Sequence, residues 1–197
     1  MEKKFLILLL FLFSWIALLS ENGNYFIAID IPEPVETHLD AHKEMLEKQL
    51  FGTFEPKEKY HITLKYLGNL SEEQLSSVKQ ILQDRLKEQK RFTLYVKDLN
   101  FFPGIEKARV AWIGAFAPEL YTMQKEIEDS MKKFSQSEKF QAHITLARLS
   151  YPPPLWLLEK FQKKVSEKPT LSFSLEEVLI LKSIKGKYER VFSILIK

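Results

Sequence analysis

Apolar and polar positions along the chain predict a succession of strands and helices. The apolar stretch YFIAIDI at 25–31 predicts a strand that ends before Pro32. Apolar residues at helical spacing over 34–50 predict an amphipathic helix, and Ser71, followed by two glutamates and a glutamine, predicts the start of another. The further predicted elements are strands at 61–67, 91–99, 108–116 and 143–149, helices at 71–90, 118–134 and 155–167, one long strand or two shorter ones over 170–184, and a closing strand at 188–196.

The order of these elements repeats within the chain. A strand–helix–strand unit over 25–67 ends in HITLKYLG, and a second such unit over 108–149 ends in HITLAR. The two units have nearly the same length, which indicates one supersecondary unit used twice. We therefore predict, over 25–197, an α+β fold of two pseudo-symmetric lobes. Each lobe is expected to be an antiparallel sheet with outer helices, and both HITL strands are expected to face a central cleft.

Each HITL strand presents a histidine and a threonine on one face. Side chains alternate between the faces of a strand, so His61 and Thr63 point together, as do His143 and Thr145. One imidazole can take a proton from water while the other gives one to a leaving oxygen, because the ordinary histidine pKa of about 6.5 lies near working pH. The threonine hydroxyls can donate hydrogen bonds to the oxygens of a phosphate. This arrangement needs no metal.

Composition excludes several other classes of protein. Hydrophobic residues make up 45% of the chain and the formal net charge is +3, which is unlike a disordered chain. The chain has no cysteine, so disulfides, thiolate metal sites and cysteine nucleophiles are excluded. The small basic excess is compatible with an anionic ligand without requiring one.

The paired motifs resemble a known family. HITLKYLG and HITLAR, together with YFIAIDIP, FTLYVKDLNFFP and ARVAWIG, resemble the two-histidine phosphoesterases, and most of all the RNA 2′,3′-cyclic phosphodiesterases, also called 2′–5′ RNA ligases. The resemblance covers nearly all of 25–197. It implies an enzyme without a cofactor that opens a 2′,3′-cyclic phosphate to a 2′-phosphate on RNA ends or nucleotides, and that can also join 2′–5′ linkages. A monomer is expected.

The resemblance also implies roles for individual residues. His61 corresponds to the general acid that protonates the leaving ribose oxygen, and His143 to the general base that takes a proton from water. Thr63 and Thr145 correspond to the threonines that contact the phosphate.

Two further residues correspond to substrate-binding positions of the family. Arg148 matches a basic residue that helps to bind phosphate, and Tyr66 matches an aromatic residue that can stack on the terminal base. Strict alternation would turn both toward the core, so they reach the cleft only if each strand ends, twists or bulges there. Alternation places Lys65 on the face of His61, either as a source of positive potential or as a solvated residue, and Phe101–Phe102 are expected in the core.

Other functions remain open on the sequence alone. The cleft could bind RNA ends without catalysis, although binding alone would not require two titrating groups. The chain could instead be a membrane-tethered phosphodiesterase acting on small nucleotides, or a tethered accessory protein without turnover. A metallophosphoesterase is disfavoured, because Asp and Glu do not cluster with the two histidines in the sequence.

The N-terminal residues 1–24 raise a separate question. Two lysines precede a nearly continuous apolar run over 5–19, which is the layout of a secretory signal or a short membrane anchor. An anchor would bring residues 5–19 into contact with a membrane, whereas a start codon assigned too early would leave the domain to begin near Tyr25. The resemblance favours the cytoplasm, and the apolar run favours export or anchoring.

Overall fold

Two antiparallel sheets form the framework of the protein. The computed structural model describes residues 23–137 and 139–197. Its strands are β1 (Asn24–Asp30), β2 (Gly52–Phe54), β3 (His61–Gly68), β4 (Thr93–Phe102), β5 (Val110–Phe116), β6 (His143–Leu149), β7 (Leu171–Ser174), β8 (Glu177–Ile184) and β9 (Lys187–Leu195). Its α-helices are α1 (Glu33–Glu47), α2 (Glu72–Leu86), α3 (Pro118–Met131) and α4 (Leu155–Ser166). The predicted α+β architecture of antiparallel sheets and helices is confirmed.

Each HITL strand belongs to a different sheet. The first sheet has the strand order β3-β1-β8-β9, and the second has the order β2-β6-β5-β4-β7. β3 therefore lies at an edge of its sheet, whereas β6 is covered by the short strand β2. The chain over 170–184 forms two strands, and each joins a different sheet. The sequence pattern did not predict β2.

Local sequence explains where the helices begin. Ser71 caps α2 by accepting a hydrogen bond from the backbone N–H of Gln74, whose side chain in turn accepts from the backbone N–H of Ser71. The helix start that the sequence predicted at Ser71 is confirmed, and a reciprocal capping box forms it. Pro118 opens α3, at a position where a helix has no use for a backbone N–H.

Two helices each pack against the sheet to which the preceding strand does not belong. α1 follows β1 of the first sheet, yet it packs against β6 and β7 of the second sheet. α3 follows β5 of the second sheet, yet it packs against β3 of the first. The two sheets and their helices consequently share one large hydrophobic core, whose residues are spread along the chain from Tyr25 to Ile196.

Within the part of the chain that the structure describes, no helix is long and apolar enough to cross a membrane. The apolar run over 5–19, and the predictions that concern it, lie outside the described residues.

Candidate active site

A β-bulge interrupts the first HITL strand directly after its threonine. Thr63 and Lys65 of β3 pair with the adjacent β1 residues Ala28 and Ile27, so Leu64 is an extra residue without an opposite partner. A bulge of this kind inverts the alternation of side chains beyond it.

The second HITL strand has a bulge at the same place. Thr145 and Ala147 of β6 pair with the adjacent β5 residues Trp112 and Ala111, so Leu146 is the extra residue. The two motifs therefore share a backbone irregularity as well as their letters.

The two bulges bring Tyr66 and Arg148 to the surface that carries the histidines. Both side chains are exposed, whereas Lys65 and Ala147 before them are buried. Strict alternation would have produced the opposite arrangement. All six predicted site residues line a single cavity of about 260 Å³, namely His61, Thr63, Tyr66, His143, Thr145 and Arg148.

Lys65 departs from the sequence-based expectation. It does not share the face of His61, and it is not solvated, because the bulge turns it toward α3 and leaves it 4% exposed. Its ammonium group donates to a carboxylate oxygen of Glu128 at 2.9 Å and to the backbone carbonyl of Gln136 at 2.6 Å. Its charge is therefore held in a buried ion pair behind the site.

The His61 ring is held by the backbone on one side and by aromatic rings on two others. Its Nδ1 lies 2.7 Å from the carbonyl oxygen of Lys59, and its Nε2 lies 3.0 Å from the hydroxyl oxygen of Thr63. The rings of Phe26 and Tyr188 have centroids 5.1 Å and 5.2 Å from the imidazole.

The His143 ring is held in the same manner by different residues. Its Nδ1 lies 2.7 Å from the carbonyl oxygen of Gln141. The centroids of Phe102 and Trp112 lie 5.0 Å and 5.7 Å from the imidazole, and these two rings stack on each other at 4.6 Å. The Phe101–Phe102 prediction was therefore half right, because Phe101 is buried in the core and Phe102 supports the histidine.

The contacts at Nδ1 decide which nitrogen can transfer a proton. A carbonyl oxygen only accepts hydrogen bonds, so Nδ1 carries hydrogen in both neutral rings. Nε2 is then the atom that gains or loses a proton in His61 and in His143 alike. Each imidazole presents the same nitrogen for proton exchange.

Burial lowers the pKa of the His61 imidazole below its ordinary value. The hydrogen bond to the Lys59 carbonyl opposes this shift, the charge of His143 adds to it, and the carboxylates of Glu55 and Asp30 oppose it. Burial also lowers the pKa of His143, and the hydrogen bond to the Gln141 carbonyl opposes this shift.

Positive charge reaches the cavity from two side chains. Arg148 is largely exposed, and its Nε lies 3.6 Å from a carboxylate oxygen of Glu55. The guanidinium lowers the pKa of His143. Lys59 places its ammonium group 5.8 Å from the centroid of the Tyr188 ring. Two cationic side chains beside the hydroxyls of Thr63 and Thr145 suit an anionic group such as phosphate.

Sequence reasoning missed the four aromatic residues that hold the histidines. Phe26 and Trp112 lie on strands that neighbour the HITL strands, so the pairing of those strands would have located them. Tyr188 and Phe102 come from β9 and β4, far along the chain from the histidine each one contacts. Within residues 23–137 and 139–197, no three His, Asp or Glu side chains converge as a metal site would require.

Two antiparallel sheets that each bring a bulged His-x-Thr strand to one cavity define a two-histidine phosphoesterase. The sequence profile of the family described as "LigT like Phosphoesterase" matches residues 29–112 and 114–191. The chain belongs to this family, as the resemblance of its motifs predicted.

Curated relatives agree with this assignment. The chain is 33% identical to an RNA 2′,3′-cyclic phosphodiesterase of Thermotoga maritima over 135 residues, which are 66% of this chain and 72% of that protein. It is 33% identical to another of that name from Methanocaldococcus jannaschii, over 64% of this chain and 71% of that protein.

The fold is also that of solved structures. A Thermus thermophilus protein superposes with a TM-score of 0.73 at 19% identity, covering 88% of this chain and 97% of that one. The Escherichia coli LigT protein without ligand superposes with a TM-score of 0.69 at 20% identity, covering 90% of this chain and 99% of that one.

Proposed function

We propose that this protein is an RNA 2′,3′-cyclic phosphodiesterase that works by acid–base catalysis with two histidines and without a metal. One observation carries the proposal: both imidazoles are fixed through Nδ1 by a backbone carbonyl, at 2.7 Å in each case, and both line one cavity. Curated relatives that share about a third of their aligned residues with this chain carry this enzyme name.

The reaction requires one proton to be removed and one to be supplied. His143 takes a proton from water through Nε2 as the water oxygen attacks phosphorus. The bond between phosphorus and the ribose O3′ breaks, and His61 gives its Nε2 proton to O3′. The product carries a 2′-phosphate and a free 3′-hydroxyl. Thr63 and Thr145 donate hydrogen bonds to the non-bridging oxygens, where charge accumulates in the transition state.

The charges near the two rings support this division of roles. The carboxylates of Glu55 and Asp30 raise the pKa of His61, whereas the guanidinium of Arg148 lowers the pKa of His143. Burial lowers the pKa of both rings, and these charge effects act in the direction that the proposed roles require, with the acid on β3 and the base on β6.

The same site could use a different nucleophile. If the 5′-hydroxyl of a second RNA replaces water, the same two proton transfers form a 2′–5′ phosphodiester bond. The rate of ligation relative to hydrolysis then depends on whether the second RNA strand can occupy the position of the water. In this proposal, Tyr66 stacks on the terminal base and Arg148 binds the phosphate.

Turnover of a short RNA with a 2′,3′-cyclic phosphate end, measured in EDTA, tests the proposal. The wild type should form a 2′-phosphate, and either His61→Ala or His143→Ala should lower kcat by about 10²–10⁴, the usual effect of losing a positioned acid or base. Exposed His38, on α1, offers a matched control, and His38→Ala should leave kcat unchanged.

The outcomes separate the competing functions. A folded wild type that binds the RNA end without turnover would leave the cavity as a binding site, and the catalytic proposal would be wrong. Loss of turnover in EDTA that returns with added metal would favour a metallophosphoesterase. Formation of a 3′-phosphate would mean that O2′, and not O3′, is the leaving oxygen that the acid protonates.

A further inference from the structure

The face of the second sheet that carries His143 continues beyond the catalytic cavity. In the sheet, His143 pairs with Gly114, which pairs in turn with Lys97. Directly opposite residues of paired strands point their side chains to the same face. The next pair on this face, two residues further along, is Phe116 with Tyr95.

Aromatic side chains are unusually exposed on this continuation. Tyr95 is 50% exposed, Phe116 is 56% exposed, and Tyr121 at the start of α3 is 37% exposed. The rings of Phe116 and Tyr121 lie 6.2 Å apart, and together with Tyr95 and Lys97 they line one open groove of about 350 Å³. We call these four residues the aromatic face.

The groove adjoins the residues that hold His143. Trp112 lines the groove, and its ring also contacts the imidazole of His143. Gln141, whose carbonyl orients that imidazole, lines the groove too. From the spacing of strands and residues in a sheet, Phe116 lies about 8 Å and Tyr95 about 12 Å from His143. Those distances suit the first few nucleotides next to a phosphate held at the histidines.

Among the described residues, the first sheet offers no comparable surface at the equivalent place. Asp30 pairs with His61 as Gly114 pairs with His143. Arg190 binds the carboxylates of both Asp30 and Glu177, so two acidic groups and one basic group occupy this position. A phosphate backbone would be repelled there, whereas the aromatic face carries the ammonium group of Lys97, with the carboxylate of Asp98 beside it.

We propose that the aromatic face binds the nucleotides that precede the cyclic phosphate in single-stranded RNA. Exposed rings beside a cation are the means by which proteins bind single strands with little dependence on sequence, because every base has a face that can stack. The inference rests on the proposed function and names its substrate class: an oligoribonucleotide end in preference to a mononucleotide. Bases would stack on Tyr95 and Phe116, and Lys97 would lie near the backbone.

A length series of substrates tests this proposal. For the wild type, kcat/KM should rise from a nucleoside 2′,3′-cyclic phosphate to an RNA of four nucleotides with the same end. In the Tyr95→Ala/Phe116→Ala variant, kcat/KM for the longer RNA should fall by about tenfold or more, the effect of losing one or two base stacks. Turnover of the nucleoside cyclic phosphate should not change.

Two further variants serve as controls. Tyr95→Phe keeps a stacking ring and should retain the rise with length. Trp156 on α4 is a surface aromatic with 64% exposure, and Trp156→Ala should behave as the wild type does. An equal rise with length in the wild type and in the Tyr95→Ala/Phe116→Ala variant would overturn the proposal.

A binding measurement separates this inference from the proposed catalysis. Fluorescence anisotropy of a four-nucleotide RNA with a 2′-phosphate end can be measured on the His61→Ala/His143→Ala variant, where no turnover is needed. Adding Tyr95→Ala and Phe116→Ala should weaken binding by about tenfold. Unchanged RNA binding together with an altered oligomeric state would show that the aromatic face binds a second copy of the chain, and the RNA proposal would be wrong.

Discussion

Gln124 donates a hydrogen bond from its side-chain amide to the backbone carbonyl of Leu64, at 3.1 Å. Leu64 is the bulged residue of β3, and its strand lies at an edge of the first sheet. The carbonyl would otherwise face α3 without a partner from a neighbouring strand. In β6 the corresponding carbonyl, that of Leu146, accepts from the backbone N–H of Glu55. The buried side chain of Gln124 thus satisfies the bulge carbonyl of β3, and the backbone N–H of Glu55, just after β2, satisfies that of β6.

Gln124→Leu should therefore destabilise the fold and disturb the strand that carries His61. A buried carbonyl that loses its donor costs about 1–3 kcal/mol in the free energy of unfolding, which urea denaturation would measure. We also expect kcat/KM for a nucleoside cyclic phosphate to fall, since the bulge places Tyr66 in the cavity.

Gln162 provides the matched control for this prediction. Its side-chain amide on α4 donates to the carbonyl of Leu99 in β4, at 3.0 Å. Gln162→Leu should lower the free energy of unfolding to a similar extent and leave turnover of the nucleoside cyclic phosphate intact. Equal activity losses in the two variants would show that Gln124 has no particular role in the site.

The buried pair of Lys65 and Glu128 should be sensitive to the loss of one partner. Lys65→Met would leave a largely buried carboxylate without its cation, at a cost of about 3–5 kcal/mol in the free energy of unfolding. Replacing both residues, as Lys65→Met with Glu128→Leu, should recover most of that stability, because no unpaired charge remains. Additive losses in the double variant would show that the two charges are not coupled.

The lowered pKa values of the two histidines predict the pH dependence of kcat/KM. The proposed mechanism requires His61 to be charged and His143 to be neutral. Because burial lowers the pKa of both rings, the charged form of His61 is lost as the pH rises, beginning below the ordinary value of about 6.5. The profile of kcat/KM should therefore reach its maximum below about pH 6.5.

Two charge variants should move the limbs of this profile separately. Glu55→Gln removes a carboxylate that raises the pKa of His61, so the alkaline limb should move to lower pH. Arg148→Gln removes a cation that lowers the pKa of His143, so the acidic limb should move to higher pH. Movement of the acidic limb in Glu55→Gln and of the alkaline limb in Arg148→Gln would reverse the assignment of acid and base.

Arg148→Gln should also weaken the binding of substrate. A charge-assisted hydrogen bond to phosphate contributes about 1.5–3 kcal/mol, so KM should rise by roughly tenfold or more. Arg148→Lys should recover part of this loss, because a lysine keeps the charge without the planar, two-pronged contact. An unchanged KM in Arg148→Gln would mean that the guanidinium serves Glu55 alone.

Much of this site could be predicted from the sequence because its central part is local and repeated. Alternation within a strand is enough to put His61 with Thr63 and His143 with Thr145. The duplicated unit then implies that the two pairs belong to related positions. Apolar periodicity likewise located the four helices and all but one of the strands.

What could not be predicted depends on backbone irregularity and on distant chain segments. Nothing in the letters HITL marks a bulge at Leu64 or Leu146, yet those bulges decide that Tyr66 faces the cavity and that Lys65 does not. Tyr188 reaches His61 only because β9 joins the first sheet at the far end of the chain. Local pattern carries no information about such pairings.

The packing of α1 and α3 on opposite sheets determines whether one repeat can fold without the other. Each strand–helix–strand repeat sends its helix to cover the sheet of the other, so one repeat produced alone would leave an apolar helix and an apolar sheet exposed. Two copies of a single repeat could bury those surfaces only by exchanging helices with each other. We therefore expect a single repeat to fold only as an intertwined homodimer, with the two histidines contributed by separate chains.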